Sequence, residues 1–185
     1  MKHRQHFLFT LFFIFFSSSF AWGVMFKSLT LSQMVAIAPR ILLFTVTDQR
    51  LEYDQYESKL YVNYVSGNVA EWIKGAGADT LTFKQIADVK DDNWDGTQAS
   101  MRHNLPQYTT GQTYLLFLAG DSEIGMASPI GGAQGVIPVE KENGEWVLSG
   151  QTKALSKAQL GLGTTKTTKN RYEDLKSVIK TLLEE

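Results

Sequence analysis

The residues whose types and spacing come nearest to a known ion site lie just before Gly96. Asp91, Asn93 and Asp95 alternate along the chain and precede that glycine, as in the first half of a calcium-binding loop, where alternate oxygens converge on the ion. The twelfth position of such a loop calls for a bidentate Glu, but the chain has Arg102 there. Calcium is therefore one hypothesis for a bound cofactor. The alternative is an acidic turn held by local hydrogen bonds.

Catalytic chemistry has few candidate residues. The chain has no cysteine, and His103 is the only histidine beyond residue 6, so a zinc site built from His and Cys ligands is excluded. A hydrolase using His103 or paired carboxylates stays an alternative hypothesis, because sequence spacing does not give the geometry that such sites need. The usual explanation for carboxylates in turns is a solvated surface. The loop carboxylates considered are Glu52, Asp54, Glu57, Asp121 and Glu123.

Aromatic side chains form the third group of candidates, because rings exposed on a β-sheet make a platform for a glycan or a protein. Tyr61 and Tyr64 are three apart on one predicted strand, so one of them should face outward. Trp94 lies in a polar loop. We predict that Tyr61, Trp94 and Tyr108 bind the ligand. Packing in the core or at its rim is the alternative, and we prefer it for Tyr64 and Trp72.

The charge pattern does not favour nucleic acid. The net charge is −1, and neither sign dominates. The segment 151–171 carries five cations and no acid, but it lacks the interleaved aromatic residues that stack on bases. We therefore predict no nucleic-acid partner and interpret this segment as a solvated linker.

The chain begins with the layout of a secretory signal peptide. A basic start precedes ten apolar residues, six of them Phe, and Ser19 and Ala21 supply the small residues before a cleavage site. We predict a signal peptide over 1–21, a secreted or periplasmic location, and no membrane contact after cleavage. The alternative is an uncleaved inner-membrane anchor, since residues 7–26 carry no charge over a length that can span a bilayer.

Tyr114–Leu118 is a run of five apolar residues between two glycines, and we interpret it as the central strand of the predicted sheet. Its length and bracketing favour a strand covered on both faces. Gly67 indicates a bulge in an earlier strand, and Asn143-Gly144 is a strong hairpin signal. The predicted strands cover residues 41–53, 60–73, 79–86, 114–118, 124–130, 136–139 and 145–148.

Two helices are predicted, one toward each end of the mature chain. Thr30 and Gln33 form a capping box ahead of a short helix that Pro39 ends. A second capping box, from Asn170 to Glu173, precedes an amphipathic helix.

Short strands at this spacing predict a mainly β (α+β) fold, a small antiparallel OB-like barrel with a short N-terminal helix and a C-terminal amphipathic helix. We assign residues 22–150 to the barrel domain and residues 151–185 to a linker and a helix packed on or beside it. Because the chain has no cysteine, packing alone must hold this domain together.

Five short segments of the sequence occur in an order that is typical of one group of proteins. They are Ser28–Leu31, Ile41–Val46, Val69–Gly75, Gly111–Leu118 and Gln134–Val139. In this order the chain, over roughly residues 28–148, resembles a large group of secreted bacterial proteins of uncharacterised function that are expected to fold as OB-like or netrin-like barrels. Netrin-like inhibitors of metalloproteinases bind zinc through an N-terminal cysteine, which this chain lacks. The resemblance therefore implies the fold and no catalytic residues.

These observations lead to one functional expectation and two alternatives. We expect a secreted or periplasmic, non-catalytic binding or interaction module whose partner is another envelope or extracellular protein or a glycan. The first alternative is a secreted hydrolase that uses the loop carboxylates or His103. The second is a calcium-stabilised structural protein.

Overall fold

The computed structural model describes residues 29–55, 60–87, 105–149 and 171–185. They form six strands and two α-helices, so the prediction of a mainly β chain with a helix toward each end is confirmed. In chain order the elements are α1 (Leu31–Ile37), β1 (Arg40–Asp54), β2 (Leu60–Lys74), β3 (Thr80–Ile86), β4 (Thr113–Leu118), β5 (Val136–Glu142), β6 (Glu145–Leu148) and α2 (Tyr172–Glu184).

The strands form one antiparallel sheet in the order β3-β2-β1-β4-β5-β6. Its two edge strands, β3 and β6, do not pair with each other, so this sheet is open as far as the described strands show. The β5–β6 hairpin closes on Asn143 and Gly144, which both have positive φ. This confirms the turn that the Asn-Gly pair predicts.

The helix α1 forms as its sequence predicts. The Thr30 hydroxyl accepts from the backbone N–H of Gln33 at 3.2 Å, and the Gln33 side chain accepts from the backbone N–H of Thr30 at 3.0 Å. The helix ends at Ile37, two residues before Pro39. At that end the Lys74 ammonium donates to the Val35 carbonyl at 2.7 Å, which satisfies a carbonyl that no further turn of helix reaches.

The strand β4 separates two hydrophobic cores, and all six of its residues are buried. Leu115 and Phe117 pack on one side with α1 and α2, in what we call the helix-side core. Leu116 and Leu118 pack on the other side with Phe44, in what we call the second core. The predicted strand covered on both faces is therefore confirmed.

A bulge divides the long β1–β2 hairpin into two halves. Val46 pairs with Gly67 and Asp48 pairs with Ser66, so Thr47 is the extra residue. The irregularity thus lies where Gly67 predicts it, although the additional residue belongs to the partner strand. We call residues 40–46 with 67–74 the inner half, and residues 48–54 with 60–66 the outer half.

The prediction of a strand over 124–130 is wrong. Only two isolated bridges form there, from Met126 to Lys84 and from Pro129 to Leu118. Positive φ at Gly125 interrupts an extended backbone, and Pro129 has no N–H to donate to a ladder.

The predicted cap at Asn170 is also wrong, because α2 begins one residue later with Arg171 as its N-cap and no side-chain capping bond. Arg171 bridges Val147 through its backbone and pairs with Glu145 at 2.9 Å through its guanidinium. This tertiary contact outweighs the local capping signal.

Within the described ranges, α2 and α1 alike lack the length and apolarity needed to cross a bilayer.

Candidate ligand-binding cleft

The bulge at Thr47 changes which residues of β1 face the second core. Before it the inward side chains are at even positions, such as Phe44, and after it they are at odd positions, beginning with Gln49 opposite Val65. The face that is apolar in the inner half therefore continues into the outer half with other residue types. Across β1, β2 and β3 that continuation consists of Gln49, Leu51, Tyr53, Tyr61, Asn63 and Gln85.

A cleft of about 280 Å³ opens on this face of the outer half. Its polar lining consists of four carboxamide side chains, those of Gln49, Asn63, Gln85 and Gln107. Its apolar lining consists of Leu51, Ile86, Ala87, Leu105 and Pro106. One wall is thus the sheet, and the segment 105–107 forms the other.

Hydrogen bonds from the carboxamides hold this segment against the sheet. Gln85 Nε2 donates to the Pro106 carbonyl at 3.3 Å, and Gln49 Nε2 donates to the Tyr108 carbonyl at 3.1 Å. Asn63 Nδ2 donates to Gln49 Oε1 at 3.3 Å, which fixes the orientation of that amide. The cleft wall is therefore set by side chains of three adjacent strands.

One acceptor in the cleft lining has no partner among the described residues. Gln85 is only 3 % exposed, and its Oε1 makes no hydrogen bond, although its Nε2 does. A buried polar atom left unpaired costs about 1–3 kcal/mol. Two other buried atoms share this condition, Arg40 Nε and the Tyr108 hydroxyl, but neither residue lines the cleft. Gln85 Oε1 is thus an unsatisfied acceptor in the cleft wall; the atom itself is buried, so a ligand donor reaches it only when the Gln85 amide turns toward the cleft.

The described lining of the cleft is electrically neutral, since it contains carboxamides and apolar groups and no ionisable side chain. Such groups can donate and accept hydrogen bonds, but they cannot exchange a proton near neutral pH. The described cleft can therefore bind and orient a ligand, whereas general acid–base catalysis would need a titratable group.

An aromatic pair lies beside the cleft on the same face. Tyr53 and Tyr61 are directly opposite each other on β1 and β2, and their ring centroids are 5.2 Å apart at an interplanar angle of 63°. Tyr53 is 53 % exposed, and Leu51, which lines the cleft next to it on the same face, is 57 % exposed. We call Tyr53 and Tyr61 the aromatic rim.

The opposite face of the outer half carries charge. Asp54 and Lys84 form an ion pair at 3.1 Å with both side chains 7 % exposed. Arg50 pairs with Glu52 at 2.9 Å and lies 5.1 Å from the centroid of the Tyr64 ring. Ions and carboxamides are thus segregated on the two faces of the same three strands.

This segregation bears on the carboxylates considered for hydrolysis. Glu52 and Asp54 face away from the cleft and are engaged in ion pairs, and Asp121 pairs with Arg40 at 3.0 Å. Glu123 is exposed, and Glu57 lies outside the described residues. The described part of the chain holds no group of three or more His, Cys, Asp or Glu residues that could hold a metal ion.

Two of the residues predicted to bind ligand, Tyr61 and Tyr108, are described by the structure and lie in different surroundings. Tyr61 is in the aromatic rim, on the face opposite to Tyr64, as their spacing predicts. Tyr108 is 8 % exposed, and its ring packs 5.8 Å from that of Phe83 and 5.4 Å from that of Tyr114. Burial raises the pKa of its hydroxyl far above the ordinary value, so the group stays neutral. Tyr108 is not among the residues that line the cleft, and its carbonyl accepts from the lining residue Gln49.

The remaining sequence candidates lie outside the described residues. They are Trp94, the calcium candidates Asp91, Asn93 and Asp95, and the histidine His103. Calcium binding and hydrolysis through His103 therefore stay predictions.

The carboxamides of the cleft are the site residues that the sequence analysis missed. A signal exists for them, because Asn63 and Gln85 occupy positions where the period of two in their strands calls for apolar side chains. Gln85 follows Leu81 and Phe83 at alternate positions of β3, and Asn63 lies between Tyr61 and Val65 at alternate positions of β2. The chain matches no family model, no curated protein and no solved structure, so its function has to be inferred from this cleft.

Proposed function

We propose that the protein is a secreted or periplasmic, non-catalytic binding module that holds an uncharged polar ligand in the carboxamide cleft. The observation that carries this proposal is the neutral lining formed by the described residues, together with the buried acceptor at Gln85 that has no partner among them. A neutral ligand leaves no charge to be desolvated without a partner, and a donor on it would restore the missing hydrogen bond.

The same proposal includes an OB-like barrel as the scaffold. Segment 126–130 supports it, because Ala127 donates to the Lys84 carbonyl of β3 at 2.8 Å and Ile130 donates to the Phe117 carbonyl of β4 at 2.8 Å. Ala127 is fully buried in the second core. A segment that bonds to both strands would complete a wall around that core, with the cleft at one mouth.

Direct observation of the cleft tests the binding function. We would record the side-chain amide NMR signals of the protein recovered from the envelope or the medium while adding neutral polyhydroxylated and amide compounds or charged compounds of similar size. The expected result is that neutral compounds shift the signals of Gln85 and Asn63. In Gln85→Leu those compounds should bind about tenfold more weakly, whereas the exposed Gln55→Leu should behave as the unmodified protein does. Binding restricted to charged compounds would contradict the proposal.

The location has its own test. N-terminal sequencing of the same recovered protein should give a chain that starts at Trp22, since Ser19 and Ala21 supply the small residues before the cleavage site. A protein that retains residues 1–21 and sediments with the inner membrane would favour the uncleaved anchor.

A further inference from the structure

We infer that the ligand is a neutral oligosaccharide, with one sugar ring in the carboxamide cleft and the next ring on the aromatic rim. This inference rests on the proposed binding function and names its ligand class. It follows from four properties of the outer half: the hydrogen-bonding groups of the cleft, its neutrality, its size, and the aromatic rim beside it.

The hydrogen-bonding groups match those of a sugar. A hydroxyl donates and accepts, and a carboxamide offers both functions within one side chain. Gln85 Oε1 needs a donor, and the amide nitrogens of Gln49 and Asn63 each use one N–H in the contacts described above, which leaves each a second N–H to donate. Neighbouring hydroxyls of one ring can meet these groups together.

The neutrality of the cleft selects among sugars. A phosphate, sulfate or carboxylate on the ligand would enter a lining that has no cation among its described residues, and an unpaired charge is costly to desolvate. The cations of this region, Arg50 and Lys84, face the other side of the sheet. The cleft should therefore discriminate against acidic sugars.

The size of the cleft limits what enters it. Pockets for drug-sized ligands span roughly 300–1,000 Å³, and this cleft of about 280 Å³ is smaller. It suits a single ring, so a longer ligand must continue over the surface outside.

The aromatic rim lies where the ligand would continue. Tyr53 lies two positions after Leu51 along β1, and Tyr61 lies two positions before Asn63 along β2, a distance of roughly 7 Å on the same face. An exposed tyrosine offers a flat apolar surface with little side-chain entropy to lose. The C–H face of a second sugar can pack on the Tyr53 ring. This ring is half exposed, although the Tyr61 ring packs against it.

Isothermal titration calorimetry on the full secreted chain tests this inference. The probes are glucose and N-acetylglucosamine oligomers of one to four units, with uronic-acid oligomers of equal length as acidic counterparts. Stacking on an aromatic side chain gives roughly tenfold or more per ring for nucleobases, so we expect about tenfold tighter binding of a neutral dimer than of its monomer. The acidic oligomers should bind at least about tenfold more weakly than the neutral ones, because no cation in the described lining of the cleft compensates their charge.

Two variants separate the two sugar positions. Tyr53→Ala should remove the gain from monomer to dimer and leave monomer affinity unchanged, since it changes only the rim. Gln85→Leu should weaken the monomer and the dimer alike by about tenfold, because it removes the acceptor and the donor of one amide. Gln55→Leu serves as the control for both, and a circular-dichroism melt verifies that each variant folds. Because Tyr53 is exposed, that variant stays informative if Gln85→Leu does not fold.

The outcomes distinguish this inference from the function on which it rests. If neutral amides shift the Gln85 signal but none of the sugars binds, the oligosaccharide is wrong and the binding function stands. If a peptide binds in a Tyr53-dependent way and sugars do not, the ligand class is likewise overturned. If no compound of either kind perturbs the cleft, both proposals fall.

Discussion

The two halves of the β1–β2 hairpin share their strands and their pairing, yet they differ in what their faces carry. In the inner half both faces pack into hydrophobic cores, with Leu43 in the helix-side core and Leu42 in the second core. In the outer half one face carries the carboxamide cleft and the other carries ion pairs. A single extra residue, Thr47, separates these two regimes. The comparison indicates that one pair of strands belongs to the packed interior at one end and lines an open cleft at the other.

The largest expected difference between the halves concerns packing, and two leucines of β1 make a matched pair for it. Leu42 is fully buried and Leu51 is 57 % exposed. We expect Leu42→Ala to lower the free energy of unfolding by about 3–5 kcal/mol, because it removes buried methyl groups and leaves a cavity. Leu51→Ala should change it by less than about 0.5 kcal/mol. Urea denaturation followed by circular dichroism measures both, and equal effects would contradict the division into scaffold and surface.

The junction between the halves is the next place to test. A Cβ atom added to Gly67 would lie 2.5 Å from Cζ of the Phe44 ring and would also meet the Thr45 carbonyl oxygen. We expect Gly67→Ala to destabilise the protein by about 1–3 kcal/mol, because the ring and the strand must shift to make room.

A second glycine supplies the control. At Gly120 the nearest atom to an added Cβ is Pro39 Cγ at 3.9 Å, an ordinary contact. Gly120→Ala should therefore be neutral, or stabilising by up to about 1 kcal/mol through the unfolded chain. If both glycines respond alike to this substitution in urea denaturation, the close approach at the junction does not matter to stability.

Two glutamates sharpen the comparison further. Glu71, in the inner half, accepts from the Tyr172 hydroxyl at 2.9 Å and from the Lys176 ammonium at 3.1 Å, so it anchors α2 on the sheet. Glu52, in the outer half, pairs only with exposed Arg50 among the contacts described. We expect Glu71→Gln to cost about 1 kcal/mol of unfolding free energy.

For Glu52→Gln the expected cost is below about 0.5 kcal/mol, because exposed ion pairs contribute little. Thermal melts compared at equal salt concentration give both values. An effect at Glu52 as large as that at Glu71 would show that the exposed Arg50–Glu52 pair is also a structural anchor.

Local signals in the sequence predict most of the inner scaffold. The capping box at Thr30, the apolar run Tyr114–Leu118 and the Asn143-Gly144 turn each depend on neighbours within a few residues, and each forms as predicted. Where a long-range contact competes with a local signal, the prediction is wrong. Arg171 shows this, because its bridge to Val147 sets the start of α2 in place of the predicted cap.

The candidate site was predictable only in part, for the same physical reason. Tyr61 is an aromatic residue on an evident strand, and its neighbourhood to the cleft depends on the pairing of β1 with β2. The cleft itself arises because the Thr47 bulge reverses the alternation of β1 and brings Gln49 onto the face of Asn63. The sequence indicated an irregularity near Gly67, but it could not show which strand holds the extra residue. Without that information, the carboxamides of the cleft cannot be assigned to one common face of the sheet.

The smallest expected effect is a pH dependence confined to the anchor of α2. Burial, and then the hydrogen bond to Glu71, raise the pKa of Tyr172 above its ordinary value of 10.0. Burial alone would lower the pKa of Lys176, but hydrogen bonds to Glu173 and Glu71 outweigh it and raise that pKa above 10.5. Both groups therefore hold their protons more tightly in the folded state than in the unfolded chain.

The sign of the stability effect follows from this linkage. The stabilisation from Tyr172 and Lys176 is fully present below the unfolded pKa values and is lost as the pH rises through the higher folded ones. We expect the midpoint of urea denaturation to decrease as the pH is raised from about 9 to about 11. The decrease should be smaller in Tyr172→Phe, which lacks one of the two protons whose binding is linked to folding. Tyr53→Phe, a substitution in the exposed rim of the outer half, should keep the fall of the unmodified protein. If Tyr172→Phe also keeps it in full, the hydroxyl of Tyr172 does not anchor the helix, and the inner half does not hold α2 through this contact.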